Sequence, residues 1–463
     1  MGLRIVQKSD LSKKKHHSKI ALVLAGGAIS GGAFKAGGLK ALNDFLVNRK
    51  VTDFDIYVGT SAGGFLAAPL AGGIPPEEIL KSLDGTSEHF SQLTPLDIYN
   101  LNWREMVEKP VHYLLERFGY FPNILLDFFQ ALPNIGESLK KGFLRFVNEP
   151  NYSNYEKMVK PLARALYSGR SAPSILSAMP TGFFDNQPLE RFLAENMKRN
   201  HLSNHFKVLK RMRGKDLYIC AMALDTSDRA IFGWDEKNDV TISQAVQAST
   251  AMPGFYKPVR VKGVDYIDGG VLKTANIDLA LEKGAELVIC YNPFRPLKNL
   301  VHVEYLREKN RYVARDPRIS DNGVFGVFNQ VFRTLYHQRL QDAIKRYEDD
   351  KSFKGDIILI EPKEDDATFF QMNPFAFWTR ANAAKSGFES VRMSILNRFD
   401  EIKPILSSYG IEMTRELVEQ DAAKIQRAAN DEREIMDVLE GQGGSRSRLR
   451  IILGGRKAKA SSS

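Results

Sequence analysis

A serine flanked by small residues lies between two segments of different hydrophobic pattern. Residues 59–63 read Gly-Thr-Ser-Ala-Gly, the form G-x-S-x-G, after the apolar run 56–58 and before a helical pattern. At a sharp strand-to-helix turn the serine hydroxyl is raised clear of the sheet, and Gly59 and Gly63 relieve crowding. The helix start adds the positive end of a dipole. The motif predicts a nucleophilic Ser61, although glycines around a serine also occur in ordinary turns.

A glycine-rich loop precedes the first predicted helix. Residues 26–32 read Gly-Gly-Ala-Ile-Ser-Gly-Gly and follow the apolar run 20–24. Backbone N–H groups at a helix N-terminus converge on an anion, so the loop suits an oxyanion hole or a phosphate cradle equally well. A dinucleotide site is disfavoured because G-x-G-x-x-G read from Gly26 requires glycine where Ala28 stands. No G-K-[ST] follows for a nucleoside triphosphate.

An aspartate followed by two glycines ends another apolar stretch. Asp268, Gly269 and Gly270 come directly after residues 261–267. The arrangement presents a carboxylate beside a backbone turn that the glycines make flexible. Taken alone, it is more typical of a hairpin or turn aspartate.

Apolar runs that end in tight turns predict the fold class. Two strand-turn-helix units begin at Ile20 and Ile56, which is typical of a parallel sheet. Further strands are predicted at residues 217–224, 287–291 and 357–360. The sequence therefore predicts an α/β fold.

Together the three motifs resemble the pattern of the patatin-like phospholipase family. That pattern is a glycine-rich loop after the first strand, G-x-S-x-G after the second, and D-G-[GA] far downstream, in the order and spacing of this chain. The resemblance covers roughly residues 20–395. Supporting stretches that are similar to the family lie at residues 180–185, 223–226, 245–256 and 357–362.

The resemblance implies a three-layer α/β/α fold with a mostly parallel central sheet, to which this chain adds a helical insertion and a C-terminal helix. It implies that Ser61 is the nucleophile and Asp268 its base in a two-residue site, with the glycine loop as oxyanion hole. Ala62 is expected as a further donor from the geometry of the turn. Such a site requires no metal and no cofactor, because a buried carboxylate can act as the base.

The glycine loop departs from the family pattern, which has three successive glycines followed shortly by Arg or Lys and Gly. Here Ala28 replaces the third glycine, and the loop is one residue longer. The predicted oxyanion hole therefore includes four loop residues without a choice among them: Gly26, Gly27, Gly31 and Gly32.

Histidine-dependent and metal-dependent mechanisms are disfavoured. An α/β-hydrolase triad runs Ser, acid, His, and only His302 and His337 follow Asp268, neither in a glycine-rich context. His201 and His205 have a spacing that suits a metal on a helix, but the glutamate that follows the first histidine in zincins is missing.

Charge is concentrated at the two ends of the chain. Of 463 residues with a formal net charge of +10, residues 1–20 contain six Lys or Arg and one Asp, and residues 441–463 contain six Lys or Arg and no acid. The nearly neutral stretch between them disfavours a nucleic-acid groove. The basic tails suit contact with an anionic membrane, and also a purely solubilising role.

Composition and targeting signals restrict the compartment in which the protein is expected. Two cysteines, Cys220 and Cys290, exclude a disulfide scaffold. No secretory signal peptide is predicted, since the basic first twenty residues lack an apolar core. The uncharged run 56–76 has membrane-spanning length, but its glycines and prolines divide it into a strand end and a short buried helix. We expect a cytoplasmic protein with reversible, peripheral membrane contact.

Changes in composition along the chain predict its organisation. An insertion at about residues 100–182 is helical by pattern and rich in aromatic residues. It is either a lid that meets lipid or ordinary core, because apolar stripes at helical spacing are typical of both. The predicted segments are a basic N-terminal tail at 1–19, a catalytic domain at 20–400 with the insertion at about 100–182, a charged helical segment at 401–440, and a basic disordered tail at 441–463.

The function implied by the resemblance is hydrolysis of fatty acyl esters of phospholipids or other lipids at a membrane surface, as a phospholipase A or lysophospholipase. The reaction would pass through an acyl-Ser61 intermediate that water attacks with Asp268 as base. One alternative is a neutral-lipid or short-ester hydrolase, or an acyltransferase, with the same dyad. Another is a non-catalytic membrane scaffold that kept the fold, which the altered glycine loop favours.

Overall fold

The apolar runs of the sequence form the strands of the protein. A computed structural model describes residues 2–115, 140–141, 143–149, 153–157, 159, 178–307, 310–363, 370, 377–429 and 431–441. The strands are β1 (Leu3–Gln7), β2 (Lys19–Leu24), β3 (Ile56–Thr60), β4 (Gly182–Phe184), β5 (Asp216–Ala223), β6 (Arg229–Gly233), β7 (Gly254–Tyr256), β8 (Val259–Val261), β9 (Val264–Asp268), β10 (Ala285–Tyr291), β11 (Val303–Leu306), β12 (Arg311–Ala314) and β13 (Asp356–Ile360).

Helices follow most of these strands. They are α1 (Ala28–Phe45), α2 (Ala62–Ala71), α3 (Pro76–Asp84), α4 (Pro95–Ile98), α5 (Gln187–Arg199), α6 (Phe206–Arg213), α7 (Ile242–Ser249), α8 (Ile277–Glu282), α9 (Gly323–Asp349), α10 (Arg380–Leu396), α11 (Phe399–Ser408), α12 (Glu416–Arg427) and α13 (Glu432–Leu439). Among the described helices, none combines the length and the apolar character that crossing a bilayer requires.

Nine strands of the described chain form one sheet, in the order β1-β13-β10-β2-β3-β5-β9-β8, with β6 also paired to β5. The five strands from β13 to β5 run parallel. The flanking strands β1, β6, β8 and β9 are antiparallel to their neighbours. The predicted strands at 217–224, 287–291 and 357–360 are confirmed, and so is the mostly parallel α/β fold.

Both faces of the sheet are buried, as is typical of parallel sheets. Along β2, the side chains of Leu22 and Leu24 belong to one core cluster and those of Ala21 and Val23 to the other. Helices α1 and α10 contribute to the first cluster, and α8 and α9 contribute to the second. The result is the predicted three-layer arrangement.

Glycines allow α1 and α10 to approach closely. A Cβ atom on Gly37 would overlap the carbonyl group of Ala384, and one on Gly387 would overlap the carbonyl group of Phe34. Glycine is required at this crossing because any larger residue would force the helices apart. The contact fixes α1, whose N-terminus carries the glycine-rich loop.

The prediction that residues 1–19 form a solvated tail is wrong for the first part of that segment. β1 pairs antiparallel with β13, with Leu3 opposite Ile360, and Leu3 and Val6 are buried. Arg4 donates from Nε to Glu348 Oε1 at 2.8 Å. A basic segment forms this strand because β13 offers an open edge and α9 offers acceptors for the cation.

The predicted charged helix near the C-terminus is divided in two. α12 ends at Arg427, and Asp431 caps α13 by accepting from the amides of Arg433 and Glu434. Buried residues on both helices, among them Val418 and Ile435, join the first core cluster. Residues 442–463 lie outside the described residues, so the disordered tail stays a prediction.

Two compact units are distinguished by contacts within the chain. The larger comprises Met1–Asn100, Asn186–Pro253 and Pro258–Ser463, and the smaller comprises Leu101–Asp185 with Gly254–Lys257. Within the smaller unit β4 pairs in parallel with β7, and Asn102 donates to the Gly182 carbonyl at 3.0 Å. Most aromatic residues of the predicted insertion lie outside the described residues.

Candidate active site

Ser61 stands at a strained turn between β3 and α2. Its φ of 55° and ψ of −131° lie in a region that costs a non-glycine residue about 1–3 kcal/mol. Glycine is needed at Gly59, where a Cβ would come within 2.5 Å of Gly64 Cα, and at Gly63, where it would overlap the Leu24 carbonyl. The strand-turn-helix expected from the sequence is present, and small neighbours make its sharp turn possible.

The backbone of Ser61 is held by Ser249, a residue that lies outside the three sequence motifs. The Ser61 N–H donates to Ser249 Oγ at 2.8 Å, and Ser249 Oγ donates to the Cys220 carbonyl at 2.6 Å. Ser249 ends α7, within the stretch 245–256 that resembles the family. A chain of two hydrogen bonds therefore ties the strained turn to β5.

Asp268 lies at the end of β9, opposite Ala221 of β5 in the register of the sheet. The hydroxyl of Ser61 lies beside its carboxylate and acts to lower the Asp268 pKa. Asp268 Oδ1 also accepts the Gly270 amide at 2.8 Å. At Gly269 a Cβ would overlap the carbonyl of Cys220. The structure thus brings Ser61 and Asp268 together, although 207 residues separate them in the sequence.

Burial determines the electrostatics of this carboxylate. Asp268 is 8% exposed, and its burial raises the pKa to about 6, against the opposing effects of the Ser61 hydroxyl, the Gly270 hydrogen bond and the Lys35 charge. A carboxylate with this pKa is ionised at neutral pH and is a stronger base than a surface aspartate. Asp268 is therefore suited to accept the Ser61 proton.

The glycine-rich loop lies against Ser61. A Cβ on Gly26 would stand 3.3 Å from Ser61 Cβ, and one on Gly32 would stand 3.8 Å from Ala62 Cβ. Ala28 begins α1 with φ 53°, so the alanine that replaces the family's third glycine adopts a left-handed conformation. That conformation is the one in which glycine would be unstrained.

The helix boundary separates the four loop glycines into two groups. Gly26 and Gly27 precede α1, whereas Gly31 and Gly32 lie within it. A helix leaves only its first four N–H groups without an intrahelical acceptor, and counted from the N-cap Gly27 these end at Ser30. The amides of Gly31 and Gly32 can therefore be bonded within α1, which makes Gly26 and Gly27 the better placed of the four predicted donors.

Lys35 holds the glycine loop from the side of α1. It is fully buried, and its Nζ donates to the carbonyls of Ala25 and Gly26, the latter at 3.2 Å. In a trans peptide the C=O of one residue and the N–H of the next point in opposite directions. The amides of Gly26 and Gly27 therefore point away from Lys35.

The Lys35 ammonium is itself perturbed. Burial lowers its pKa to about 7, although the negative charge of Asp268 opposes this effect. No sequence motif indicated Lys35, because its partners are backbone carbonyls. The only available signal was a lysine beside Phe34 in residues 28–39, where the other side chains are apolar or small.

The histidines have other partners. His337 Nδ1 lies 3.2 Å from Glu361 Oε1, and the exposed His302 lies 2.7 Å from Asp316. His201 follows α5 and His205 precedes α6, so the two do not share a helix as their spacing suggested. Within the described residues, no group of three or more His, Cys, Asp or Glu could hold a metal ion.

Comparison with known proteins identifies a family for the part of the chain that contains these motifs. Residues 22–281 match the family model described as patatin-like phospholipase. The chain is 31% identical over 77 residues to the uncharacterized protein YjjU of Escherichia coli, a stretch that covers 16% of this chain and 21% of that protein. This chain therefore matches about a fifth of that relative's length.

Two solved structures are similar over most of the chain at low identity. VipD from Legionella pneumophila gives 15% identity and a TM-score of 0.36, covering 96% of this chain and 81% of that one. ExoU of the type III secretion system of Pseudomonas aeruginosa, solved with SpcU, gives 15% identity and a TM-score of 0.26, covering 97% and 72%. TM-scores this low do not establish a common topology. Because the family model spans more than half of the chain, the protein belongs to the patatin-like phospholipase family.

Proposed function

We propose that this protein is a serine acyl hydrolase that cleaves fatty acyl esters of lipids, with Ser61 as nucleophile and Asp268 as base. The observation that carries the proposal is that the Ser61 hydroxyl, at its strained turn, lies beside the buried carboxylate of Asp268 and lowers its pKa. Family membership supports a lipid acyl ester as substrate.

The reaction divides into two half-reactions. In the first, Ser61 Oγ attacks the ester carbonyl while Asp268 takes the hydroxyl proton, and the tetrahedral intermediate expels the alcohol, which recovers that proton. In the second, Asp268 takes a proton from water as the water attacks acyl-Ser61. Collapse releases the fatty acid and returns the proton to Ser61.

The oxyanion is stabilised by backbone amides in this proposal. Gly26 and Gly27 are the preferred loop donors, because Lys35 holds the preceding carbonyls and so turns both amides away from itself. Ala62, the first residue of α2, is the donor expected from the turn. Fixed donors of this kind are worth about 10²–10³-fold each in rate.

The site geometry supports cleavage of an acyl ester but does not choose among lipid substrates. We propose a glycerophospholipid or lysophospholipid at a membrane surface, on the basis of the family. A neutral-lipid or short-ester hydrolase and an acyltransferase would use the same dyad. Parallel assays with phospholipid, lysophospholipid, triacylglycerol and a short soluble ester, each with and without an alcohol acceptor, distinguish these activities.

A covalent probe tests the nucleophile. The full chain is incubated with a fluorophosphonate, and fatty acid release from phospholipid vesicles is followed in parallel. Wild type should be labelled and should release fatty acid, and Ser61→Ala should do neither. Ser227→Ala is the matched control, since Ser227 also has a positive φ, of 59°, but lies exposed after β5.

Two results would contradict the proposal. The first is labelling that persists in Ser61→Ala. The second is folded wild type that neither reacts with the probe nor hydrolyses any of the four substrates, a result that would favour the non-catalytic scaffold.

A further inference from the structure

The first half of α9 presents an apolar stripe to solvent. Six side chains along it are between 42% and 59% exposed. Their spacing of three and four residues places them on one face of the helix. On the opposite face, Arg333, Leu340 and Ile344 are buried, and Leu340 and Ile344 belong to the core cluster that packs on the sheet. The stripe consists of Val324, Val327, Phe328, Val331, Phe332 and Leu335.

Exposed apolar side chains scattered over a surface are ordinary, but a contiguous stripe of six, including two phenylalanines, marks an interaction surface. Residues 323–341 contain no Asp or Glu. A helix that exposes one apolar face and has basic rather than acidic residues beside it is typical of helices that lie in the membrane interface.

The segment before α9 is rich in cations. Residues 295–322 contain seven Lys or Arg and four Asp or Glu. In the hairpin of β11 and β12, the rings of Tyr305 and Tyr312 lie 5.0 Å apart, and both are exposed. Tyrosine and arginine together suit the level of lipid headgroups, where aromatic rings and cations are both favoured.

Hydrogen bonds attach this segment to α9. Gln330 Nε2 donates to the Leu297 carbonyl at 2.8 Å, and the Leu297 amide donates to Gln330 Oε1 at 3.2 Å. Gln330 lies between the exposed Val327 and Val331 in the sequence of α9. The start of the basic segment is therefore anchored to the helix that carries the apolar stripe.

A row of aromatic rings connects the stripe to the site. Phe328 lies 6.2 Å from Phe332, Phe332 lies 6.0 Å from Tyr336, and Tyr336 lies 5.0 Å from Phe294, all measured between ring centroids. A Cβ on Gly26 would stand 2.7 Å from the Phe294 ring. The row thus ends at the glycine loop beside Ser61.

We propose that the stripe of α9 and the hairpin of β11 and β12 dock the protein on an anionic phospholipid bilayer. The apolar side chains enter the interface, and exposed arginines such as Arg311 and Arg318 contact lipid phosphates. The aromatic row then gives an acyl chain an apolar path toward Ser61, a part that rests on the proposed function. Docking itself does not depend on catalysis.

Vesicle flotation tests the docking surface without lipid turnover. The full chain carrying Ser61→Ala is mixed with vesicles of phosphatidylcholine alone or with phosphatidylglycerol, at low and high salt. Phe328→Gln with Phe332→Gln is then added to that background. Leu417→Gln with Met393→Gln is the matched control, because these side chains are also exposed apolar residues but lie on α12 and α10.

We expect the phenylalanine pair of substitutions to weaken partition about tenfold or more on the anionic vesicles, and the control pair to leave it unchanged. Arg311→Gln with Arg318→Gln should weaken binding to anionic vesicles only, and high salt should reproduce that loss. Circular dichroism and light scattering establish that each variant is folded and in the same oligomeric state as its parent.

Three results would overturn the inference. The parent does not float with anionic vesicles, the phenylalanine variant floats as well as the parent, or the phenylalanine variant loses self-association while vesicle binding is unaffected. Failure of the proposed function looks different, because flotation then follows the expected pattern while the chain with Ser61 intact releases no fatty acid.

Discussion

Two buried lysines, one in each half of α1, show how differently the same side chain behaves with different partners. Lys35 and Lys40 are 0% and 3% exposed. Lys40 donates to Asp44 at 2.6 Å and to Asp421 of α12 at 2.9 Å. Burial opposes its charge, but these two carboxylates outweigh the burial and raise the pKa of Lys40.

Lys35 has no carboxylate within hydrogen-bonding distance among the described residues, and its donors go to the carbonyls of Ala25 and Gly26. Burial therefore prevails and lowers its pKa to about 7. The difference teaches that partners, more than depth, determine the state of a buried cation. The C-terminal half of α1 holds α12 in place, whereas the N-terminal half holds the glycine loop beside Ser61.

The largest effect on activity is expected when the carboxylate near Lys35, that of Asp268, is removed. Asp268→Asn should lower kcat by about 10⁴-fold, because the amide cannot take the Ser61 proton, without lowering the free energy of unfolding. Asp265→Asn is the control on the same strand, where Asp265 pairs with Arg260 at the surface. Steady-state ester hydrolysis and thermal unfolding measure both quantities. An Asp268→Asn enzyme with near wild-type kcat would remove the base from the mechanism.

The next largest effect is expected on stability, when the ion pair in the C-terminal half of α1 is broken. Asp421→Ala should cost about 3–5 kcal/mol in the free energy of unfolding, because it removes one partner of a buried ion pair. The activity of the folded enzyme should be retained. Asp400→Ala is the matched control, since Asp400 pairs with Arg415 at a highly exposed position, and should cost about 1 kcal/mol or less. Denaturant unfolding decides, and equal losses in the two variants would contradict this role for Asp421.

A paired substitution of the lysines sharpens the contrast directly. Lys35→Met should lower kcat/KM by about 10–100-fold, because the amides of Gly26 and Gly27 lose the contact that orients them. Lys40→Met should leave kcat/KM unchanged and reduce the free energy of unfolding, because Asp44 loses its cation and Asp421 keeps only Lys424. Measurements of kcat/KM and of the free energy of unfolding on both variants test these separate roles. Equal changes in the two variants would contradict them.

The smallest effect is a shift along the pH axis. In wild type, kcat/KM for a soluble ester should rise with pH through an apparent pKa near 6 as Asp268 ionises. The Lys35 charge lowers the pKa of Asp268, so Lys35→Met should move this acidic limb to higher pH. Below pH 7 Lys35 is mainly protonated, so its charge is present where the limb lies. An unmoved limb would show that Lys35 does not influence the base.

Local patterns in the sequence were enough for much of this arrangement. The turn at Ser61 was predictable because its glycines belong to the G-x-S-x-G pattern, and Gly59 is required by contacts with backbone only four and five residues away. The strands around it were predictable because parallel strands are apolar throughout. Asp268 alone suggested a turn residue, and only the order of all three motifs assigned it to the site.

The remainder depends on contacts between distant segments. Lys35 bonds to carbonyl groups, which leave no trace in side-chain composition. The basic residues near Leu3 suggested a tail because the acceptor Glu348 lies in α9, far along the chain. The exposed stripe of α9 also could not be distinguished from a core stripe, since helical spacing alone does not tell which face the sheet covers.

The pairing of β1 with β13 has a consequence for synthesis. Leu3 meets Ile360, so this edge of the sheet cannot close until nearly the whole catalytic unit has been translated. At about 5–20 residues per second, that interval is roughly 20–70 s. β2 and β3 are close in sequence and can pair early, whereas the segment of β1 stays unpaired until β13 has been synthesised. The docking of this strand is therefore expected as a late step of folding.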